Sequence, residues 1–199
     1  MRIVVPVKCV PDLVEELELN DDETDVDREF LKFVISEWDD QALEEALLVK
    51  EATGGEVVMV GFGDPDVELS LYTALAKGAD RAVNLTGLGE GWVDSHTRAA
   101  VLGEWLGGEG GVDLVMAGVQ AVDDLDGQLP ALLGPMLGWP HVAVVIGVEA
   151  SPPAGAGAGI SVRRLYAPEK TGHAEMLTGS PEEVADRILE LVRSKGLLK

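Results

Sequence analysis

The chain has 199 residues, enough for one α/β-sized domain with a sizeable core and short of two average domains. Hydrophobic residues make up 46% and charged residues 26%, which excludes a polar, disordered chain. Fifteen basic residues against 36 acidic ones leave a net charge of −21, so nucleic-acid backbones and anionic membrane surfaces are excluded as partners on electrostatic grounds. The single cysteine, Cys9, rules out an internal disulfide framework and fits a reducing compartment. Met1 leads at once into Arg2-Ile3-Val4-Val5-Pro6-Val7-Lys8, an apolar run far too short for an export signal. No stretch is long and charge-free enough to span a bilayer. A soluble, cytoplasmic protein is expected, with no membrane insertion.

Short β-branched runs alternate with longer helical patterns. Strands are expected at Ile3 to Val7, Val57 to Gly61, Arg81 to Leu85, Val112 to Ala117 and His141 to Val148. Their near-continuous apolar character suits parallel strands covered on both faces. Helices are expected at Asp39 to Ala52, at Pro65 to Lys77 with Gly78 as a stop, and at Asp94 to Leu106 behind an Asp-Ser cap. A fourth helix is expected at Gln128 to Leu137, started by Pro130 and bent by Pro135. The last runs from Pro181 to about Ser194, where Ser180-Pro181-Glu182-Glu183 supplies a cap, a first-position proline and acid at the positive helix end. This alternation predicts a Rossmann-like, doubly wound, mostly parallel sheet with a C-terminal helical arm. The expected organisation is an α/β domain over 1–150, a Pro/Gly/Ala linker or hairpin tip over 151–159, and a strand (Ile160 to Tyr166) plus helix completing or extending it over 160–199.

Residues 12–29 are crowded with Asp and Glu. They read as a solvated, mobile loop; the Asp-x-Asp-x-Asp-Gly spacing of a calcium loop does not occur. No catalytic set stands out. His96, His141 and His173 pair with no nucleophile at a known spacing, Cys9 reads as packing, and no Cys/His cluster has metal-ligand spacing. G-x-G-x-x-G and Walker A patterns do not occur either. In a doubly wound sheet the ligand lies beyond the carboxyl ends of the strands. The most informative loop there runs from Gly118 to Gln128. Its Asp126-Gly127-Gln128 segment opens a helix, where free N–H groups attract an anion. Asp123, Asp124 and Asp126 also read as simple helix caps, and spacing alone favours capping over an anion site.

Together these segments resemble the β subunit of electron transfer flavoprotein. Ile3-Val4-Val5-Pro6-Val7-Lys8-Cys9-Val10-Pro11-Asp12 is similar to that family's opening, and Ala42-Leu43-Glu44-Glu45-Ala46-Leu47 with Lys50-Glu51 to its first helix. Thr73 to Ala82 (TALAKGADRA), Gly118-x-Gln120-Ala121-Val122-Asp123-Asp124, and Leu137-Gly138-Trp139-Pro140 follow in order. The resemblance implies a carrier subunit with no catalytic residues of its own. It would pair with an α-type subunit as a heterodimer, bind AMP structurally and help enclose the α subunit's FAD; in bifurcating relatives a second FAD takes the AMP site. It places adenine against Pro6, Ser36 and Phe62, the phosphate at Ala121, Asp124, Gly127, Gln128 and Leu129, and Trp38 toward the flavin. Gly127 and Leu129 stand where the family often carries Ser, Asn or Thr, and Leu13 replaces a second aromatic. The family's L-N-E-P-R-Y-x-x-L-P-N-I loop, which docks a dehydrogenase of the acyl-CoA type, has no counterpart after residue 148, whereas Gly179 to Leu191 again resembles its C-terminal helix. The alternative is a stand-alone adenine-nucleotide-binding or sensing protein. The acid of 12–29, beside the expected flavin edge, points to a basic protein partner.

Overall fold

A computed structural model of the protein describes residues 1–149 and 179–195, apart from Glu15, Phe30, Asp64, Pro65 and 89–92. The expected linker at 151–159, the strand at 160–166 and His173 lie outside the described residues. The chain divides into two units, Met1–Gly159 and Ile160–Lys199.

The first unit is built on four parallel strands, β1 (Arg2–Pro6), β4 (Glu56–Gly61), β5 (Arg81–Asn84) and β6 (Leu114–Val115), in the order β5-β4-β1-β6. Side chains alternate between faces along a strand. Ile3, Val5, Val57 and Met59 therefore meet Leu43, Ala46 and Val49 of α1 (Glu37–Thr53) and Leu71 and Ala74 of α2 (Val67–Lys77). Val4, Val58 and Val60 face the other way, onto Leu102 and Leu106 of α3 (Ser95–Glu109) and Leu133 of α4 (Leu129–Leu137). Ile3, Val4, Val5 and Val57 to Val60 are fully buried, so the apolar runs are those of strands covered on both sides.

The helices start and stop where local chemistry directs. Asp94 caps α3, its carboxylate accepting the Thr97 N–H at 2.7 Å. This helix runs on through Gly107 and Gly108 to Glu109, with Gly110 as its C-cap, beyond the expected end at Leu106. Gly78 ends α2 with φ 126°, a conformation in which a Cβ is strained. At the strand edge Val57 donates its N–H to Asp80 (2.8 Å), whose other oxygen meets Lys50 Nζ at 2.7 Å. The Lys50 contact and the Val57 bond hold the Asp80 carboxyl below its usual range.

One expectation is overturned. His141 to Val148 forms no strand: Val144 adopts φ 56°, which breaks an extended backbone, and Val144 and Ile146 are 79% and 68% exposed. β propensity reflects packing against neighbouring strands, and this run has no ladder partner among the described residues. The acidic segment at 12–29 is the solvated loop expected, framed by two short pairings. β2 (Cys9–Pro11) and β3 (Phe33–Ile35) pair antiparallel at its base, and a Leu19–Val26 bridge closes its tip. There Asn20 donates its N–H to the Asp25 carbonyl (2.9 Å) and accepts that of Glu23 (3.0 Å). Its acids remain largely exposed, as charge demands. The pairing escaped the sequence because each strand has three residues and the partners are far apart in the chain.

In the second unit, α5 (Pro181–Ser194) starts on a capping box. Ser180 Oγ accepts the Glu183 N–H at 3.3 Å, and the Glu183 carboxylate accepts the Ser180 N–H at 2.8 Å. Its bounds are those expected from Ser180-Pro181.

Candidate functional site: a cleft at the switch point of the sheet

The strand order reverses between β1 and β6. Chain segments leaving β1 move toward β5, and the α3 crossover then returns to the opposite side of β1. At such a point the two loops leaving the carboxyl ends diverge and open a crevice. Here they are Val7-Lys8 after β1 and Gly118 to Gln128 before α4. A cleft lies between them.

The floor is organised by one carboxylate. Asp39, in the first turn of α1, is buried, and it accepts the backbone N–H of Lys8 (2.9 Å) and of Gly118 (3.0 Å). It thereby ties the ends of β1 and β6 together. A Cβ on Gly118 would overlap Asp39 and the Trp38 carbonyl carbon, so this approach needs glycine. Burial pushes the Asp39 carboxyl up to about 7; the two N–H bonds and the charges of Lys8 and Arg98 pull the other way without overcoming it.

The aspartates of the loop are each engaged. Lys8 Nζ donates to Asp123 (2.6 Å) and to Asp124 (2.5 Å), with the Lys8 and Asp124 side chains only 12% and 11% exposed. Burial raises the Asp124 carboxyl, and the Lys8 ammonium outweighs it, so that it ends below its usual range. Asp124 also accepts the Asp126 N–H (3.3 Å), while Asp126 accepts from Ser95 Oγ (2.8 Å) and the Gln128 N–H (3.2 Å). These carboxylates brace the loop and not the helix, since no side chain caps the first turn of α4. Lys8 offsets one of the three negative charges of the loop. The other first-turn N–H groups of α4 have no intrahelical acceptor. The loop is tightly wound: Leu125 has φ 54° and Gly127 φ 59°, and a Cβ at Gly127 would come within 2.6 Å of the Val119 carbonyl oxygen.

Of the residues singled out in the sequence, Pro6, Phe62, Ala121, Asp124, Gly127 and Leu129 line this one cleft. Ser36 is nearly fully buried as the N-cap of α1, where it donates its N–H to the Lys8 carbonyl (2.9 Å); its side chain caps nothing. Trp38, on the first turn of α1, is 39% exposed, and Gln128 is exposed at the start of α4. Sequence reasoning missed Asp39, Ser95, Arg98 and Gly118. Asp39 reads as an ordinary first-turn acid, and Arg98 as one more charge on a helix. Cys9 is buried, its Sγ 3.3 Å from Ser70 Oγ, consistent with packing. The described residues hold no cluster suited to a metal ion, and none of their helices is long and apolar enough to cross a membrane.

Fold and cleft together define a doubly wound, Rossmann-like α/β domain with a crevice at the topological switch point. The model of the electron transfer flavoprotein domain family matches residues 25–170, and the chain belongs to that family. It is 39% identical to the electron transfer flavoprotein subunit beta of Methylophilus methylotrophus over 154 residues, 76% of this chain and 58% of that protein. The corresponding subunit of Clostridium acetobutylicum is 37% identical over 153 residues, 75% and 57%. That of Mycobacterium tuberculosis is 35% identical over 146 residues, 71% and 55%. The chain thus spans less than two thirds of the length of these relatives.

Proposed function

We propose that this chain is a β-type subunit of an electron transfer flavoprotein, a carrier component and not an enzyme. In this reading residues 1–150 form a nucleotide-binding domain whose cleft holds AMP as a structural ligand, in a cytoplasmic protein. An α-type partner carries FAD, and the β subunit helps enclose it for electrons coming from dehydrogenases. The observation that carries the reading is the meeting, in one crevice, of the two loops that bear the family motifs, Pro6-Val7-Lys8 and Gly118 to Gln128.

The residues fit a nucleotide. Pro6 and Phe62 offer apolar walls to a base. Ala121, Gly127 and Leu129 bring backbone close, and Gly127 keeps the loop tight where a side chain would clash. Asp124 and Gln128 take positioning roles, one locking the loop to Lys8 and the other opening α4. Ser36 shapes the turn under the base through its backbone. Trp38 lies exposed on the first turn of α1 and is the aromatic offered to the flavin. When bound, FAD supplies the redox chemistry, and this chain supplies position and exclusion of water.

Co-expression with an α-type subunit tests the proposal. The purified complex should be yellow and release AMP on denaturation. A colourless product without the partner bound overturns the carrier reading. A colourless chain that still releases adenine nucleotide assigns stand-alone binding instead. Reversing the charges of Asp21, Asp22 and Glu23 should slow association with the partner at low salt if the acidic arm steers it.

A further inference from the structure

We infer that Arg98 is the side-chain anion receptor of the cleft and takes the phosphate of an adenine mononucleotide; this rests on the nucleotide-binding reading proposed above. Two cations line the crevice, Lys8 and Arg98. Lys8 Nζ is committed to Asp123 and Asp124. The nearby carboxylates are committed as well. Asp39 accepts the Lys8 and Gly118 N–H groups, Asp124 accepts Lys8 Nζ and the Asp126 N–H, and Asp126 accepts Ser95 Oγ and the Gln128 N–H.

Arg98 acts on Asp39 and Asp124 through its charge. Its Nε is buried and has no hydrogen-bond partner among the described residues. Buried side-chain nitrogens are almost always paired, so one that is not belongs to a guanidinium, here on the wall of a cleft, whose hydrogen bonding the described residues leave incomplete. The guanidinium carbon lies 6.0 Å from the centroid of the Phe62 ring, which places the cation beside that wall of the cleft. A guanidinium presents its N–H groups as a planar fork that matches two oxygens of a phosphate. Gly127 and Leu129, which border the same cleft, carry no side-chain donor. The cation at position 98 and the backbone N–H groups opening α4 would then share the anion, the base lying toward Pro6 and Phe62.

The test titrates AMP and adenosine into the full-length wild type, Arg98→Gln and Arg98→Lys by calorimetry. The loss of a charge-assisted, bidentate contact predicts that Arg98→Gln weakens AMP about 10- to 100-fold and adenosine less than about threefold, with Arg98→Lys recovering part of the loss. Unchanged AMP affinity in Arg98→Gln overturns the role of Arg98 and leaves nucleotide binding standing. An equal loss of AMP and adenosine, without recovery by lysine, makes Arg98 a packing residue and overturns it too. A wild type that binds no AMP overturns both this inference and the reading beneath it.

Discussion

Replacing Asp39 by asparagine probes the cleft floor. The carboxyl has an ordinary value of 3.8, and burial pushes it to about 7. Its folded pKa thus lies above its unfolded one. Between these values the folded chain keeps a proton that the unfolded chain has released. The stability from this group is full below about pH 4 and is lost as pH rises through 7. About three pH units correspond to about 4 kcal/mol. Asparagine is neutral at every pH and removes this slope. Its amide has one acceptor oxygen for two backbone donors, Lys8 and Gly118, which now lie 2.9 and 3.0 Å from two carboxylate oxygens. One N–H is left unpaired, at about 1–3 kcal/mol. Asp39→Asn should therefore be less stable than wild type at pH 4 by about 1–3 kcal/mol, and more stable by a similar amount at pH 8. Urea unfolding at pH 4, 5, 6, 7 and 8 measures both proteins. Other titrating groups shared by the two cancel in the difference. Parallel curves, with a constant gap across this range, would refute a buried, proton-holding Asp39.

Three further outcomes are expected. Gly127→Ala forces a Cβ at φ 59° to within 2.6 Å of the Val119 carbonyl and should cost about 2 kcal/mol or more, lowering the unfolding temperature by roughly 4–8 °C; an unchanged midpoint would mean the loop is not held as described. Lys8→Met takes the ammonium from Asp123 and Asp124 and should cost about 3 kcal/mol at neutral pH. Because pairing holds the Asp124 carboxyl low, its contribution is present above the unfolded value and fades as pH falls. The penalty should thus shrink in acid, and carbon-detected NMR should show Asp124 titrating higher in the variant. Ser180→Ala removes one half of the capping box and should loosen the start of α5 by about 1 kcal/mol, read as roughly fivefold faster hydrogen exchange at the Glu183 amide; equal exchange would count against the cap.

The sequence by itself determined the class of fold and most of its elements. Continuous apolar runs such as Val57 to Val60 have one stable use in a chain this size, as strands covered on both faces. Helix signals that act within a few residues, Asp94 on Thr97 and Ser180 on Glu183, were legible because their partners are local. The loop from Gly118 to Gln128 was legible as a site for the same reason: strand, glycine and helix start follow one another. Tertiary structure decided what depends on distant neighbours. The run His141 to Val148 has strand composition and no strand, since a ladder needs a partner. Asp39 resembles any acid in a first helical turn until the ends of β1 and β6 close over it, joining residues 31 and 79 positions away. Whether Asp124 repels an anion or braces the loop turns on Lys8, which lies 116 residues away. Arg98 carries no local sign of its place in the cleft. Charge and periodicity act along the chain and can be read there, whereas desolvation and pairing exist only once the fold has chosen the neighbours.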